Sequence, residues 1–170
     1  LFRFINIKDP QHQLLFLVWI ISCFISEIPH PIIYLHGPQG SAKTTASKIL
    51  RRLIDPSKIE VAEFPKDMRE LIQKLAHHWF LMFDNISYVP TDFSDILCRT
   101  VTGAGFSKRE LYSDDSDIIY SFRRCIGLNG ISLPHLKPDL LERCILISLE
   151  RVSKEGRRQE QEVLREFEQL

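Results

Sequence analysis

The stretch PIIYLHGPQGSAKTT, residues 31 to 45, constrains this chain more than any other. An apolar run stops at a loop punctuated by Gly37 and Gly40. A lysine-threonine pair then opens a helical pattern carrying Ala46, Ile49, Leu50 and Leu53 on one face. Gly37, Pro38, Gln39, Gly40, Ser41, Ala42, Lys43 and Thr44 fill the pattern G-x-x-x-x-G-K-[ST] with alanine where a glycine often precedes the lysine. Strand, loop and helix in that order form a phosphate cradle: backbone N–H groups and the helix terminus face the anion, Lys43 reaches the β and γ phosphates, and Thr44 ligates Mg²⁺. Thr45 closes the loop. Ala42 is expected at a helix start with ordinary helical φ and ψ, so that its methyl group does little harm.

The same alternation continues along the chain. The Thr44 to Leu53 helix ends at Asp55-Pro56, and IEVAEF (59–64) reads as a short strand. A helix from about Lys66 to His77 turns Met68, Leu71, Ile72 and Leu75 inward, and WFLMFDN (79–85) is an apolar strand ending in acid. A further helix from Thr91, expected as its N-cap, carries Phe93, Ile96 and Leu97. GFSKRELYSDDSDIIYSFRR (105–124) has the pattern of a β-hairpin turning at SDDSD. RRCIGLNG and RCILISL are two more strands, joined by a proline-containing loop and a short helix at Pro138 to Leu141. Strands apolar throughout and separated by helices give an α/β chain with a mainly parallel five-stranded sheet covered on both faces, plus a hairpin insertion. Residues 1–29 are expected to pack on this core as a helical segment, 30–150 to form the core, and 151–170 to form an amphipathic helix with Val163, Leu164, Phe167 and Leu170 on one side.

At 170 residues the chain has room for one good core. Its 22 basic residues balance 22 acidic ones, so any nucleic-acid contact is local and not a property of the whole surface. LLFLVWIISCFI (14–25) gives about 18 Å of helix against roughly 30 Å of bilayer hydrocarbon, and SEIPHP lacks a small-residue cleavage site. It is expected to be a buried helix beside the core, with no membrane partner. Cys23, Cys98, Cys125 and Cys144 are widely spaced among apolar neighbours and read as buried thiols of a reducing, cytoplasmic compartment. The chain opens on Leu1 and ends inside a charged helical pattern, which suggests a piece of a longer protein.

Three further residues carry chemistry. Asp84 ends an apolar strand at the sheet edge where ligands bind, and suits Mg²⁺ through water; a plain strand-end turn is the alternative. Asn129 ends CIGLNG, where its amide can orient attacking water or touch the γ-phosphate, or merely serve an Asn-Gly turn. Arg143 precedes the last strand, fit either to reach a neighbouring subunit's nucleotide in trans or to pair with Glu142 or Asp139.

Taken in order, Gly37 to Thr44, Asp84-Asn85, Asn129 and Arg143 resemble the AAA+ ATPases, and more closely the superfamily 3 helicases of viruses, plasmids and integrated elements, over about residues 30 to 150. That resemblance implies ATP and Mg²⁺ on Lys43 and Thr44, Asp84 as the acid of the second motif, Asn129 as a sensor and Arg143 as a finger. It implies a homo-oligomeric, hexameric ring with ATP between subunits. It also implies a hairpin that grips single-stranded DNA through Lys108 and Arg109, with Phe106 or Tyr112 stacking on bases. Arg123 and Arg124 are left to the nucleotide or a subunit interface. Two departures stand out. Asn85 occupies the place where such enzymes carry a proton-accepting glutamate, leaving Asp84 or Glu63 for that work. Little chain follows the last strand, so the helical lid is expected to be truncated or absent. The implied function is the ATP-hydrolysing motor of a DNA helicase in mobile-element or phage replication. The rivals are a protein-remodelling switch ATPase, a nucleotide-binding scaffold and a small-molecule kinase.

Overall fold

A computed structural model describes residues 1–107, 119–132 and 136–169. Its centre is a parallel sheet of four strands: β1 (Ile32–His36), β2 (Phe80–Phe83), β5 (Cys125–Gly130) and β6 (Cys144–Ser148), in the order β2-β5-β1-β6. The register sets Leu35 of β1 beside Asn129 on one flank and Ile147 on the other. All four carboxyl ends therefore meet at one edge.

Alternation along the strands divides the core in two. Ile33, Leu35, Phe80, Met82 and Ile147 face α1 (Pro10–Ser22), α2 (Lys43–Ile54) and α6 (Glu160–Glu168), where Trp19, Ile49, Leu50 and Leu164 cover them. Ile32, Tyr34, Phe83 and Leu128 face α3 (Met68–His77), α4 (Thr91–Thr102) and α5 (Pro138–Leu141), through Leu71, Leu75, Leu97 and Leu140. Near-continuous apolar strands are what a sheet covered on both faces requires.

A polar clamp fastens α2 to the start of β2. Arg51, only 1% exposed, donates to the Phe80 carbonyl and, at 2.7 Å, to Asp55 Oδ2. That carboxylate oxygen also accepts the Trp79 and Phe80 N–H groups at 2.8 and 2.9 Å. His78 Nδ1 lies 2.8 Å from Arg51 Nη2. The buried guanidinium is thus both paired and hydrogen-bonded, the condition under which a buried charge is tolerated.

Several sequence expectations change. The sheet has four strands and not five: IEVAEF contributes a single parallel bridge, Ala62 to Phe83, flanked by the exposed Ile59 and Glu63 and stopped by Pro65. With only Val61, Ala62 and Phe64 packed on the core, too little side-chain area is buried to extend the ladder. Leu53 is exposed at 39% while Ile54 turns inward. Thr91 is the first helical residue and Pro90 precedes it as the cap, so the hydroxyl caps nothing. The helix from the LLFLVWIISCFI run is buried on one face alone, through Phe16, Trp19 and Ile20, and leaves Leu14, Val18 and Ile21 exposed. Among the described residues no helix is long and apolar enough to cross a membrane. All four cysteines are free, three of them buried and Cys144 partly so. Strands β3 (Phe106–Ser107) and β4 (Ile119–Tyr120) pair antiparallel, on either side of the segment expected to turn as a hairpin. Its turn at SDDSD, with Lys108, Arg109 and Tyr112, lies outside the described residues.

Candidate functional site

The loop between β1 and α2 sits at the carboxyl edge of the sheet, with β5 and β6 on either side. Gly37 is there because of crowding: a Cβ would stand 2.2 Å from the Leu149 carbonyl oxygen. Gly40 has φ +81°, a left-handed backbone that glycine alone adopts freely. Ala42 departs from expectation, because it too is left-handed, with φ 60° and ψ 32°, and is the cap of α2 and not part of its first turn. It offers no side-chain acceptor, whereas α1 and α3 begin on Asp9 and Asp67, each of which caps its helix. The first N–H groups of α2 have no partner within the helix, and at this end the helix dipole is positive. The terminus is chemically suited to an anion.

Lys43 folds back over the loop, donating to the carbonyls of Gly37 at 2.8 Å and Pro38 at 3.0 Å and to Ser41 Oγ at 3.3 Å. Burial lowers the pKa of its ammonium group, while the nearby Asp84 carboxylate works the other way. Thr44 Oγ1 donates to Asp84, 3.2 Å from Oδ1 and 3.3 Å from Oδ2. The loop and the end of β2 thus bring two hard oxygen donors together, the ligand chemistry that Mg²⁺ selects. His36, at the end of β1, has its pKa lowered by burial first and then by His12 and Lys43.

Asn129 is 1% exposed at the end of β5, and both ends of its amide are engaged. Its Oδ1 accepts the Asn85 N–H at 2.9 Å, and its Nδ2 donates to Ser47 Oγ at 2.8 Å, which in turn donates to the Lys43 carbonyl at 2.9 Å. One side chain thereby fixes the turn after β2 and the first turns of α2. Asn85 is left-handed, with φ 57°, a conformation asparagine adopts at less cost than glutamate. Glu63 is exposed one residue beyond the bridge at Ala62.

Arg143 stands apart from this cluster, preceding β6 at the amino edge of the sheet while the loop lies at the carboxyl edge. It donates to the Asp139 carbonyl at 2.7 Å and pairs with the Asp139 carboxylate, and it lines an open groove of about 310 Å³ with Asp95, Cys98 and Thr102. Arg123 donates to the carbonyls of Ser26 and Thr102. Arg124 donates to the Leu75 carbonyl and lies over Phe122. Within one chain, neither reaches the loop through these bonds.

Five residues of the site escape a motif reading. Ser47 is fully buried and sits one turn beyond Lys43; a hydroxyl on an apolar helix stripe is the signal for it. Thr45 Oγ1 donates to Glu160 Oε2 at 3.1 Å, and Lys48 pairs with the same carboxylate, so the start of α6 docks on the start of α2. Arg151 and Arg157 lie over Gly40: a methyl group there would stand 3.9 Å from Arg151 Nε and 3.5 Å from Arg157 Nη2. Nothing in their local sequence marks them, since the approach depends on how the segment after β6 folds back.

The model of one protein family, described as actinomycete integrative conjugative element replication protein, matches residues 1–170. No curated protein sequence matches the chain. Among solved structures, the C-terminal region of NrS-1 superposes with a TM-score of 0.63 at 15% identity, over 98% of this chain and 41% of that one. JCV helicase superposes with a TM-score of 0.55 at 14% identity, over 87% of this chain and 42% of that one. The chain therefore spans less than half the length of either, and at such identities the likeness is one of fold.

Proposed function

The chain belongs to the family of actinomycete integrative conjugative element replication proteins, and on that premise we propose that residues 37–45 bind ATP with Mg²⁺ and that the chain is the ATP-hydrolysing core of a ring-forming DNA helicase. The observation that carries this reading is the convergence at one sheet edge of the uncapped α2 terminus, Lys43, and the Thr44 and Asp84 oxygens. It is the arrangement expected of an AAA+ ATPase of the superfamily 3 kind, and the likeness of fold to JCV helicase supports it.

In this reading the loop N–H groups and Lys43 take the phosphate oxygens, the lysine exchanging the Gly37 and Pro38 carbonyls for them. Thr44 and Asp84 hold Mg²⁺, which when bound neutralises charge on the phosphoryl groups. Asn129 holds Asn85 through its carbonyl oxygen and so aims Asp84. The amide has a second N–H beyond the one given to Ser47, and this is the group assigned to the γ-phosphate. Asp84 or Glu63 orients the attacking water, because Asn85 cannot accept a proton. Arg143, remote from its own loop and beside an open groove, serves a neighbouring subunit in a hexameric ring. Lys108 and Arg109, carried between β3 and β4, grip single-stranded DNA.

ATP turnover with and without single-stranded DNA tests this. Lys43→Ala and Arg143→Ala are each expected to be inactive alone, and a mixture of the two to recover activity through hybrid interfaces. Turnover indifferent to DNA and to Arg143→Ala would sink the ring-helicase reading. A second reading, a switch or scaffold ATPase with slow hydrolysis, is favoured by Asn85 and predicts tight ATP binding with no DNA stimulation.

A further inference from the structure

We propose that Arg151 and Arg157 form a cationic clamp that grips the outer phosphates of the nucleotide bound by the same chain, making the site selective for a triphosphate. This rests on the nucleotide reading of the loop and adds to it a contact that the loop motif does not contain.

The segment that follows β6 is fastened to the loop at both ends. Leu149 N–H donates to the His36 carbonyl at 2.8 Å and Val152 N–H to the Gly40 carbonyl at 3.1 Å. Further on, Glu160 accepts from Thr45 and pairs with Lys48. Between these anchors the chain turns at Ser153 to Gly156, where Gly156 N–H donates to Ser153 Oγ at 3.1 Å. Both guanidinium groups come within 4 Å of where a Gly40 side chain would begin. Glycine at this position leaves nothing between the loop backbone and the two cations.

Charge points the same way. Arg151 and Arg157 make no ion pair or hydrogen bond among the described residues. Arg158, next in sequence, is paired with Glu162 at 3.3 Å and Glu166 at 2.5 Å. The site's other positive charge is Lys43, the roughly half charge of the α2 terminus and, when bound, the two charges of Mg²⁺, from which Asp84 subtracts. A triphosphate exceeds that balance, and two guanidinium forks above the loop are the groups with the geometry to meet its outermost oxygens.

The experiment is competition of ATP, ADP and inorganic tripolyphosphate against a fluorescent ATP analogue on the intact protein. Arg151→Gln and Arg157→Gln should each weaken ATP and tripolyphosphate by roughly tenfold, the worth of a charge-assisted bond, and ADP by less. Arg157→Lys should recover part of the loss, and Arg158→Gln should match wild type. Because both arginines are exposed, the ligand-free melting temperature should not move in the Arg151 and Arg157 variants. Wild-type affinities for ATP and tripolyphosphate in both glutamine variants, with Lys43→Ala defective, would overturn the clamp and leave the loop reading standing. Wild-type protein that fails to bind ATP would overturn both.

Discussion

Ala42 and Asn85 share a left-handed backbone, and each occupies a position where the motif reading anticipates another residue. The left-handed region costs an L-residue roughly 1–2 kcal/mol, while a glycine raises the entropy of the unfolded chain by about 0.4–1 kcal/mol. The difference favours glycine slightly, so Ala42→Gly should raise unfolding stability by about 0.5 kcal/mol in denaturant titration and should not weaken ATP binding. A loss of stability would show that the alanine methyl group makes a packing contact of its own. At position 85 the same strain acts in reverse: asparagine relieves it through its short polar side chain, and the glutamate expected of an efficient hydrolase would incur it. Asn85→Glu should therefore lower stability by about 1 kcal/mol. The identity of the loop residues was legible in the sequence. Their φ angles were not, because alanine at a helix start is compatible with either hand until Gly40 and the Leu149 carbonyl fix the path of the chain.

Helix α2 carries the site at one end and a structural clamp at the other. Its first turn presents Lys43 and Thr44, its second places Ser47 against Asn129, and its last sets Arg51 on Asp55. Removing the Asp55 carboxylate strands a buried guanidinium and the N–H groups of Trp79 and Phe80. Asp55→Ala should accordingly cost about 3–5 kcal/mol in chemical denaturation, and a change below about 1 kcal/mol would show that water replaces the carboxylate. His78 belongs to the same clamp, and burial first, then Arg51, lowers its pKa from 6.5. The unfolded chain thus binds this proton more readily than the folded one, so the contribution is full above pH 6.5 and is lost as pH falls below it. The melting temperature should drop as pH falls below about 6.5, and His78→Gln should reduce that drop. Helices and buried strands were legible from periodicity, because each apolar face meets a sheet. IEVAEF was misread, since Val61, Ala62 and Phe64 alternate like a strand but lack a partner on their outer side to complete a ladder. The clamp left no trace in sequence, since an arginine and an aspartate four apart look like a solvated surface pair.

At the scale of the whole molecule, a sheet with all four carboxyl ends on one edge places the candidate phosphate loop on that edge and Arg143 on the other. Arg143 pairs there with Asp139 of its own chain, and the ring proposed above asks it to serve a neighbouring subunit instead. Every such consequence rests on ATP occupying the loop between β1 and α2. The direct test is calorimetric titration of ATP into the intact protein with and without Mg²⁺, repeated for Lys43→Ala and Asp84→Ala. The account predicts one ATP per chain, at least about tenfold weaker binding in Lys43→Ala, and loss of the Mg²⁺ dependence in Asp84→Ala. Equal ATP affinity in wild type and Lys43→Ala would contradict it.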